Sequence, residues 1–174
     1  LLIDGQAIQD STDILEHLDL VFPSRPILPA EAAERALAHV LEDWADESLY
    51  FYEMTARLAW PHNLDATLDQ FTAGFPNMSR DAVREMILSK VGELTRAQGI
   101  GRKTNASVIA DLERHFQSLE QMLQVRSWLA TDHPSNADFA VAAQVSAILF
   151  AEEGRSILSR CPAVARWLQR LEEE

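Results

Sequence analysis

Ser135-Asn136-Ala137-Asp138-Phe139-Ala140-Val141-Ala142-Ala143-Gln144-Val145-Ser146-Ala147-Ile148-Leu149-Phe150 is the stretch that decides the fold. Ser135 and Asp138 have the S-x-x-D spacing of an N-terminal capping box. From Ala137 to Phe150 only Asp138, Gln144 and Ser146 interrupt the apolar residues. A helix that is apolar on all sides is surrounded by other helices. The stretch therefore predicts the central helix of a bundle. Ser135 and Asp138 are read as structural, because a buried helix start needs partners for its orphan N–H groups.

Helical signals continue on both sides. Cys161-Pro162 starts a last helix with Val164, Trp167, Leu168 and Leu171 on one face, ending in a solvated Glu172-Glu173-Glu174 tail. Upstream, Thr104 or Asn105 opens a helix with Ile109, Leu112, Phe116, Leu119 and Leu123 inward. Before it, Ser79 caps a helix striped by Val83, Met86, Ile87, Val91 and Leu94, and Gly99-Ile100-Gly101 stops it. The Gly99 to Lys103 segment follows no strand, so it is a helix stop and not a phosphate loop. A shorter helix is expected around Leu64 to Phe71, stopped by Gly74 and Pro76. Ala33, Leu37, Val40, Leu41 and Trp44 form one face of a long helix that runs through Tyr50 and Met54 to Trp60-Pro61.

The N-terminal part differs. Leu1-Leu2-Ile3 reads as a short strand, Asp4-Gly5 as a turn and Ala7-Ile8-Gln9 as a second strand. Asp10-Ser11-Thr12 then opens a short helix with Ile14, Leu15 and Leu18 on its apolar face. Three prolines between Phe22 and Pro29 mark a linker. The expected architecture is mainly α: a strand-turn-helix unit over residues 1–21, a linker over 22–29 and an all-α domain of five or six helices over 30–174.

Composition narrows the function. The 174 residues carry 15 Lys and Arg against 27 Asp and Glu, a formal charge of -12. Such a surface repels phosphate backbones and anionic lipid, which argues against nucleic-acid and membrane roles. Cys161 is alone, so neither an internal disulfide nor a four-cysteine zinc site forms. No apolar run reaches the ~18 residues of a membrane helix, and Leu1-Leu2-Ile3-Asp4 is not a signal segment. A cytoplasmic, reducing compartment is expected. The chain starts with Leu inside a predicted strand, so a longer polypeptide is expected.

Several residues invite a chemical role. Asp10 and Ser11 stand at a helix start, where free N–H groups and a partial positive charge can hold a carboxylate; helix capping alone also explains both. Tyr50, Tyr52, Arg57 and Trp60 fall late in the first long helix, where aromatic residues either line an apolar pocket or pack in the core. Arg57 also suits an anionic ligand. His39 and Asp43 have metal-ligand spacing, but no third ligand matches, so no metal site is expected. Cys161 at a helix start is read as a bystander.

The ordered set of these segments resembles the glutathione S-transferases. Leu2-Ile3-Asp4-Gly5, Ile8 and Asp10-Ser11-Thr12-Asp13-Ile14 resemble the end of that family's thioredoxin-like domain. Ile27-Leu28-Pro29 resembles its linker, Ser135-x-x-Asp138-Phe139 its capping box, and Pro162-Ala163-Val164-Ala165-Arg166-Trp167-Leu168 its terminal helix. Gly99-Ile100-Gly101-Arg102-Lys103, Trp128-Leu129-Ala130 and Glu153-Gly154-Arg155 are similar to one bacterial branch.

The resemblance implies a helical C-terminal-type bundle after the remnant of a thioredoxin-like α/β domain. About fifty residues or more of that domain would lie upstream of Leu1, since a βαβ unit alone takes ~30 residues. The family's thiol-activating Ser, Tyr or Cys belongs to that part, so the catalytic residue is unknown. Glutathione is implied as co-substrate, with no permanently bound cofactor. Asp10 and Ser11 would hold its glutamyl end, and Tyr50, Tyr52, Arg57 and Trp60 would line the pocket for an apolar electrophile. A detoxifying transferase is implied, forming a homodimer through the helices that begin near Ala33 and Ser79. Two alternatives stay open: a non-catalytic binding or scaffold protein of the same fold, and a natively short helical module offering residues 1–18 to a partner.

Overall fold

The computed structural model describes residues 1–24 and 26–173. Arg25 of the predicted linker and Glu174 of the acidic tail lie outside the described residues. Two short strands, β1 (Leu2–Ile3) and β2 (Gln6–Ala7), pair antiparallel with Leu2 opposite Ala7 and Ile3 opposite Gln6. Asp4 and Gly5 turn the chain at φ 49° and 80°, the left-handed pair that a two-residue hairpin needs. Helix α1 (Ser11–Val21) follows. Between Val21 and Ala32 the described residues form no regular element, as the prolines predict.

The long helix exists but is not uniform. Helices α2 (Ala32–Trp44) and α3 (Tyr50–Met54) are joined by a π-helical stretch, Ala45–Leu49, and a second one, Thr55–Ala59, follows. A template of 3.6 residues per turn cannot foresee these wider turns. The buried line also differs from the expected stripe. Ala38, Glu42, Ala45 and Leu49 are buried, whereas Ala33 is exposed and Val40 is 65% exposed. The long helix packs against helix α8 (Asn136–Ile148) with Ala38 and Ala45 fully buried, while Val40 faces a surface cavity.

Pro61 opens α4 (Pro61–Thr67), and α5 (Asp69–Thr72) completes the expected short helical segment. Ser79 caps α6 (Arg80–Gln98) by accepting the Ala82 N–H at 3.2 Å. Leu94 is exposed and Thr95 takes its place in the buried line. Gly99 ends α6 at φ 126°, a conformation that L side chains avoid. Thr104 then caps α7 (Asn105–Val125). After α8 a short helix not expected from the sequence, α9 (Glu152–Leu158), precedes α10 (Pro162–Glu173). Gly154 permits α9: a Cβ there would meet the Ile148 carbonyl oxygen at 2.3 Å.

The main core gathers Leu49, Leu112, Phe116, Val141, Ile148 and Trp167 from the long helix, α7, α8 and α10. A second cluster joins Met54, Leu64, Leu68, Val83, Ile87 and Val91. Helix α8 is not enclosed on every side. The long helix packs against it, and Phe139 of α8 and Phe150 just beyond its end are 43% and 41% exposed.

Asp138 explains the start of α8. Its Oδ2 accepts the Ser135 N–H and hydroxyl, each at 3.0 Å. Its Oδ1 accepts the Leu129 N–H and the Trp167 Nε1–H, each at 2.9 Å. One fully buried carboxylate thus joins the loop before α8, α8 itself and α10. No described helix is long and apolar enough to cross a membrane.

Candidate functional site

The hairpin delivers the chain to α1 through Asp10, whose backbone sits at φ 74° and ψ 138°. Asp10 Oδ1 accepts the Thr12 N–H at 3.0 Å, which caps the helix and leaves Oδ2 without a partner among the described residues. Beside it, the Ser11 hydroxyl reaches Asp46 Oδ2 at 3.5 Å. Thr12 fixes the helix start in place: its hydroxyl donates to Glu42 Oε1 at 2.8 Å, and Asn136 Nδ2 donates to Glu42 Oε2 at 3.3 Å. The buried Glu42 carboxylate thereby links α1, α2 and α8.

A cavity of about 770 Å³ opens here, between the first turn of α1 and the outer side of the long helix. Asp10, Ser11 and Thr12 form one wall; Asp43, Asp46, Glu47 and Tyr50 form much of the other, with His39, Val40, Glu42 and Gln144. Five of these side chains are carboxylates, and no Lys or Arg stands among them. The crowding shows at Asp46. Burial pushes its carboxyl above the ordinary value, and the charges of Asp10 and Asp43 push the same way against the Ser11 hydrogen bond. The first π-helical stretch, Ala45–Leu49, carries Asp46 and Glu47 into this wall.

Of the residues the sequence singled out, Asp10, Ser11 and Tyr50 share the cavity. Tyr52, Arg57 and Trp60 do not line it. Tyr52 points to α7, where its hydroxyl donates to Asp111 Oδ2 at 2.9 Å. Lys103 and Arg114 pair with the same carboxylate. Burial and the Asp111 acceptor raise the Tyr52 phenol, while the Lys103 hydrogen bond lowers the Asp111 carboxyl. Arg57 pairs with buried Glu53 at 3.0 Å and lies between the rings of Phe150 and Phe71, at 4.7 and 5.2 Å from their centroids. Burial holds the Glu53 carboxyl above its ordinary value in spite of that partner. Trp60 is buried and stacks on His62.

His39 and Asp43 both border the cavity, but no group of three His, Cys, Asp or Glu among the described residues is arranged to hold a metal ion. Cys161 is buried, and its thiol is pushed up by that burial and by the Glu120 charge. Thr12, Glu42, Asp46 and Gln144 were not foreseen. Glu42 and Asp46 read as ordinary carboxylates on a helix face, and only the docking of α1 brings them to Ser11 and Thr12.

The helical bundle docked on the strand-turn-helix unit defines the fold class, and comparison with known proteins gives the family. Residues 30–170 match the family model described as glutathione S-transferase, C-terminal domain. The chain belongs to the glutathione S-transferase family. It is 28% identical over 141 residues to the "FtsZ-localized protein A" of Caulobacter vibrioides (strain NA1000 / CB15N), covering 81% of this chain and 50% of that protein. The chain thus spans about half the length of this curated relative.

Among solved structures, it resembles a glutathione S-transferase from Rhodospirillum rubrum F11 with a TM-score of 0.62 at 22% identity, covering 98% of this chain and 63% of the other. FzlA from C. crescentus gives a TM-score of 0.59 at 22% identity, with 100% and 65% covered. The beta-etherase LigF from Sphingobium sp. strain SYK-6 gives 0.61 at 22%, with 98% and 72% covered. At these identities the structures share the fold.

Proposed function

We propose that the protein acts as a glutathione transferase, with Asp10 and Ser11 holding the glutamyl end of glutathione in the acidic cavity. The observation that carries this reading is the start of α1, where Ser11 and Asp10, whose Oδ2 has no partner among the described residues, line the same cavity. The glutamyl carboxylate sits on the helix start and takes the Ser11 N–H and hydroxyl. The α-ammonium pairs with Asp10, in a field that five carboxylates make favourable for a cation. Anchoring one end of the tripeptide orients its thiol for attack on an electrophile, and Tyr50 offers that electrophile an aromatic surface. No residue of this chain is assigned to thiol activation.

Further expectations belong to this reading: an apolar electrophile, a role in detoxification, a homodimer through α2 and α6, and a bacterial cytoplasmic setting. Residues 1–21 and 22–29 serve as the end of a thioredoxin-like domain and its linker. A second reading is a non-catalytic protein of the same fold that binds a protein partner. The relative named for its localization with FtsZ favours it.

Calorimetric titration of the natural-length protein with glutathione tests both readings. Binding that falls about tenfold in Ser11→Ala, at unchanged thermal stability, supports the glutathione site. No heat in the wild type, or affinity indifferent to Ser11→Ala, rejects it.

A further inference from the structure

A second concavity, of about 680 Å³, lies between the last turns of α1, the proline segment and the start of α2. It shares no lining residue with the acidic cavity. We propose that it is a docking groove for a short segment of a protein partner in which a large apolar side chain is flanked by Lys or Arg. The inference stands apart from the glutathione reading.

The floor is apolar: Leu20, Pro23, Pro26 and Leu28. Leu20 is 80% exposed, and the neighbouring Phe22 is 54% exposed. Side chains of this size open to water beside a concavity favour an apolar occupant. The floor is also held in shape. Asp19 accepts the Ile27 N–H at 2.9 Å and the Leu28 N–H at 2.8 Å, which ties the proline segment to α1. The proline rings fix their own φ angles. Little further ordering is therefore needed when a ligand enters.

The rim supplies the sign of the partner. Four carboxylates border the groove, and two have structural duties: Asp19 as above, and Glu31, which caps α2 by accepting the Ala33 N–H at 2.7 Å. Glu16 and Glu34 make no hydrogen bond or ion pair with any described residue. Among the described residues nothing occupies them, which leaves them open to a cation. The guanidinium of Arg35 is engaged by the Pro29 carbonyl at 2.7 Å, and His133 rests on Asp132 at 2.7 Å. An apolar floor with two carboxylates on its rim that have no partner among the described residues is complementary to an apolar residue between basic ones.

Fluorescence anisotropy of the natural-length protein with three short labelled peptides tests this. One has Leu flanked by Lys and Arg, one has Leu flanked by Asp and Glu, and one has Ser flanked by Lys and Arg. The first alone should bind, more weakly as salt rises. Its affinity should fall about tenfold in Leu20→Asp, the loss expected for a central anchor, and also in Glu16→Lys combined with Glu34→Lys. Glutathione affinity should stay unchanged in these variants, so failure here is distinguishable from failure of the transferase reading. Equal binding of the Ser peptide, indifference to the variants, or no binding at all would overturn the proposal. So would protection of Leu20 from hydroxyl-radical labelling without peptide, since the polypeptide itself would then fill the groove.

Discussion

Asp138→Ala should destabilise the protein more than any ordinary core truncation of that size. The carboxylate accepts three buried N–H groups: Leu129 N–H, Ser135 N–H and Trp167 Nε1–H. A buried donor left unpaired costs ~1–3 kcal/mol, so three give roughly 3–9 kcal/mol. Water entering the vacated volume recovers part of this, which places the loss near ~5 kcal/mol. Total stabilities of such domains are ~5–15 kcal/mol. With a urea slope of ~2.5 kcal/mol per molar, the unfolding midpoint should fall by about 2 M at constant slope.

Urea titration followed by tryptophan fluorescence and far-UV circular dichroism reads the shift. Asp138→Asn should lose less than Asp138→Ala, because its remaining oxygen still serves Leu129 and Trp167. A double-mutant cycle with Trp167→Phe isolates the indole bond, whose coupling should be ~1–2 kcal/mol. A loss below ~1 kcal/mol in Asp138→Ala would refute the keystone role, since it would fall within the range of a simple surface substitution.

Two further outcomes follow from the charges. His115 lies between Trp44 and Tyr52, at 5.4 and 4.9 Å between ring centroids, and its Nε2 is buried without a partner among the described residues; burial lowers its pKa, so the unfolded chain takes up the proton first and stability should fall as pH drops through the ordinary value of 6.5. Urea midpoints between pH 8 and pH 5, compared with His115→Phe, check this: the variant should lose less on acidification. Asp46 is raised by burial and by its acidic neighbours, so its charge opposes folding at neutral pH. Asp46→Asn should therefore raise the melting temperature at pH 7, and the gain should shrink as pH falls through the Asp46 pKa towards the ordinary value of 3.8. A lower melting temperature at pH 7 would contradict that sign.

Helix starts were the most legible feature of the sequence. Ser79, Thr104 and Ser135 each stand where a helix begins, because a side-chain acceptor at that point answers a local need of the backbone. Features that depend on distant segments were harder to see. Val40 belongs to an apolar stripe by spacing, yet it faces a cavity, while Ala38, Glu42, Ala45 and Leu49 form the buried line of the long helix. Phe139 and Phe150 read as core, but periodicity shows only what favours burial and not what covers it. The cavity wall was least visible. Thr12, Glu42 and Asn136 are joined across separations of 30 and 94 residues, and no local pattern encodes that meeting. Asp10 and Ser11 were legible as a candidate pair, while Asp46 came into view only once α1 had docked.

Whether Asp10 is merely a cap turns on its backbone. At four other helix starts the cap residue is extended: Glu31 at φ -76°, Ser79 at -68°, Thr104 at -72° and Ser135 at -129°. Asp10 caps α1 from φ 74° and ψ 138°, a sparsely populated region that costs ~1–3 kcal/mol. Capping does not require that cost, since extended geometry serves it as well. The twist does have a consequence for the surface: the hairpin enters α1 with the Asp10 side chain and the Ser11 hydroxyl both on the cavity. Capping also uses only Asp10 Oδ1, so the second oxygen can meet a ligand without uncapping the helix, while the Ser11 hydroxyl would have to exchange its Asp46 acceptor for one. At Asp10 the cap and a ligand contact would therefore use different oxygens. The strained backbone is thus what the proposed glutathione contact at Asp10 would require, and the calorimetric comparison with Ser11→Ala tests that contact.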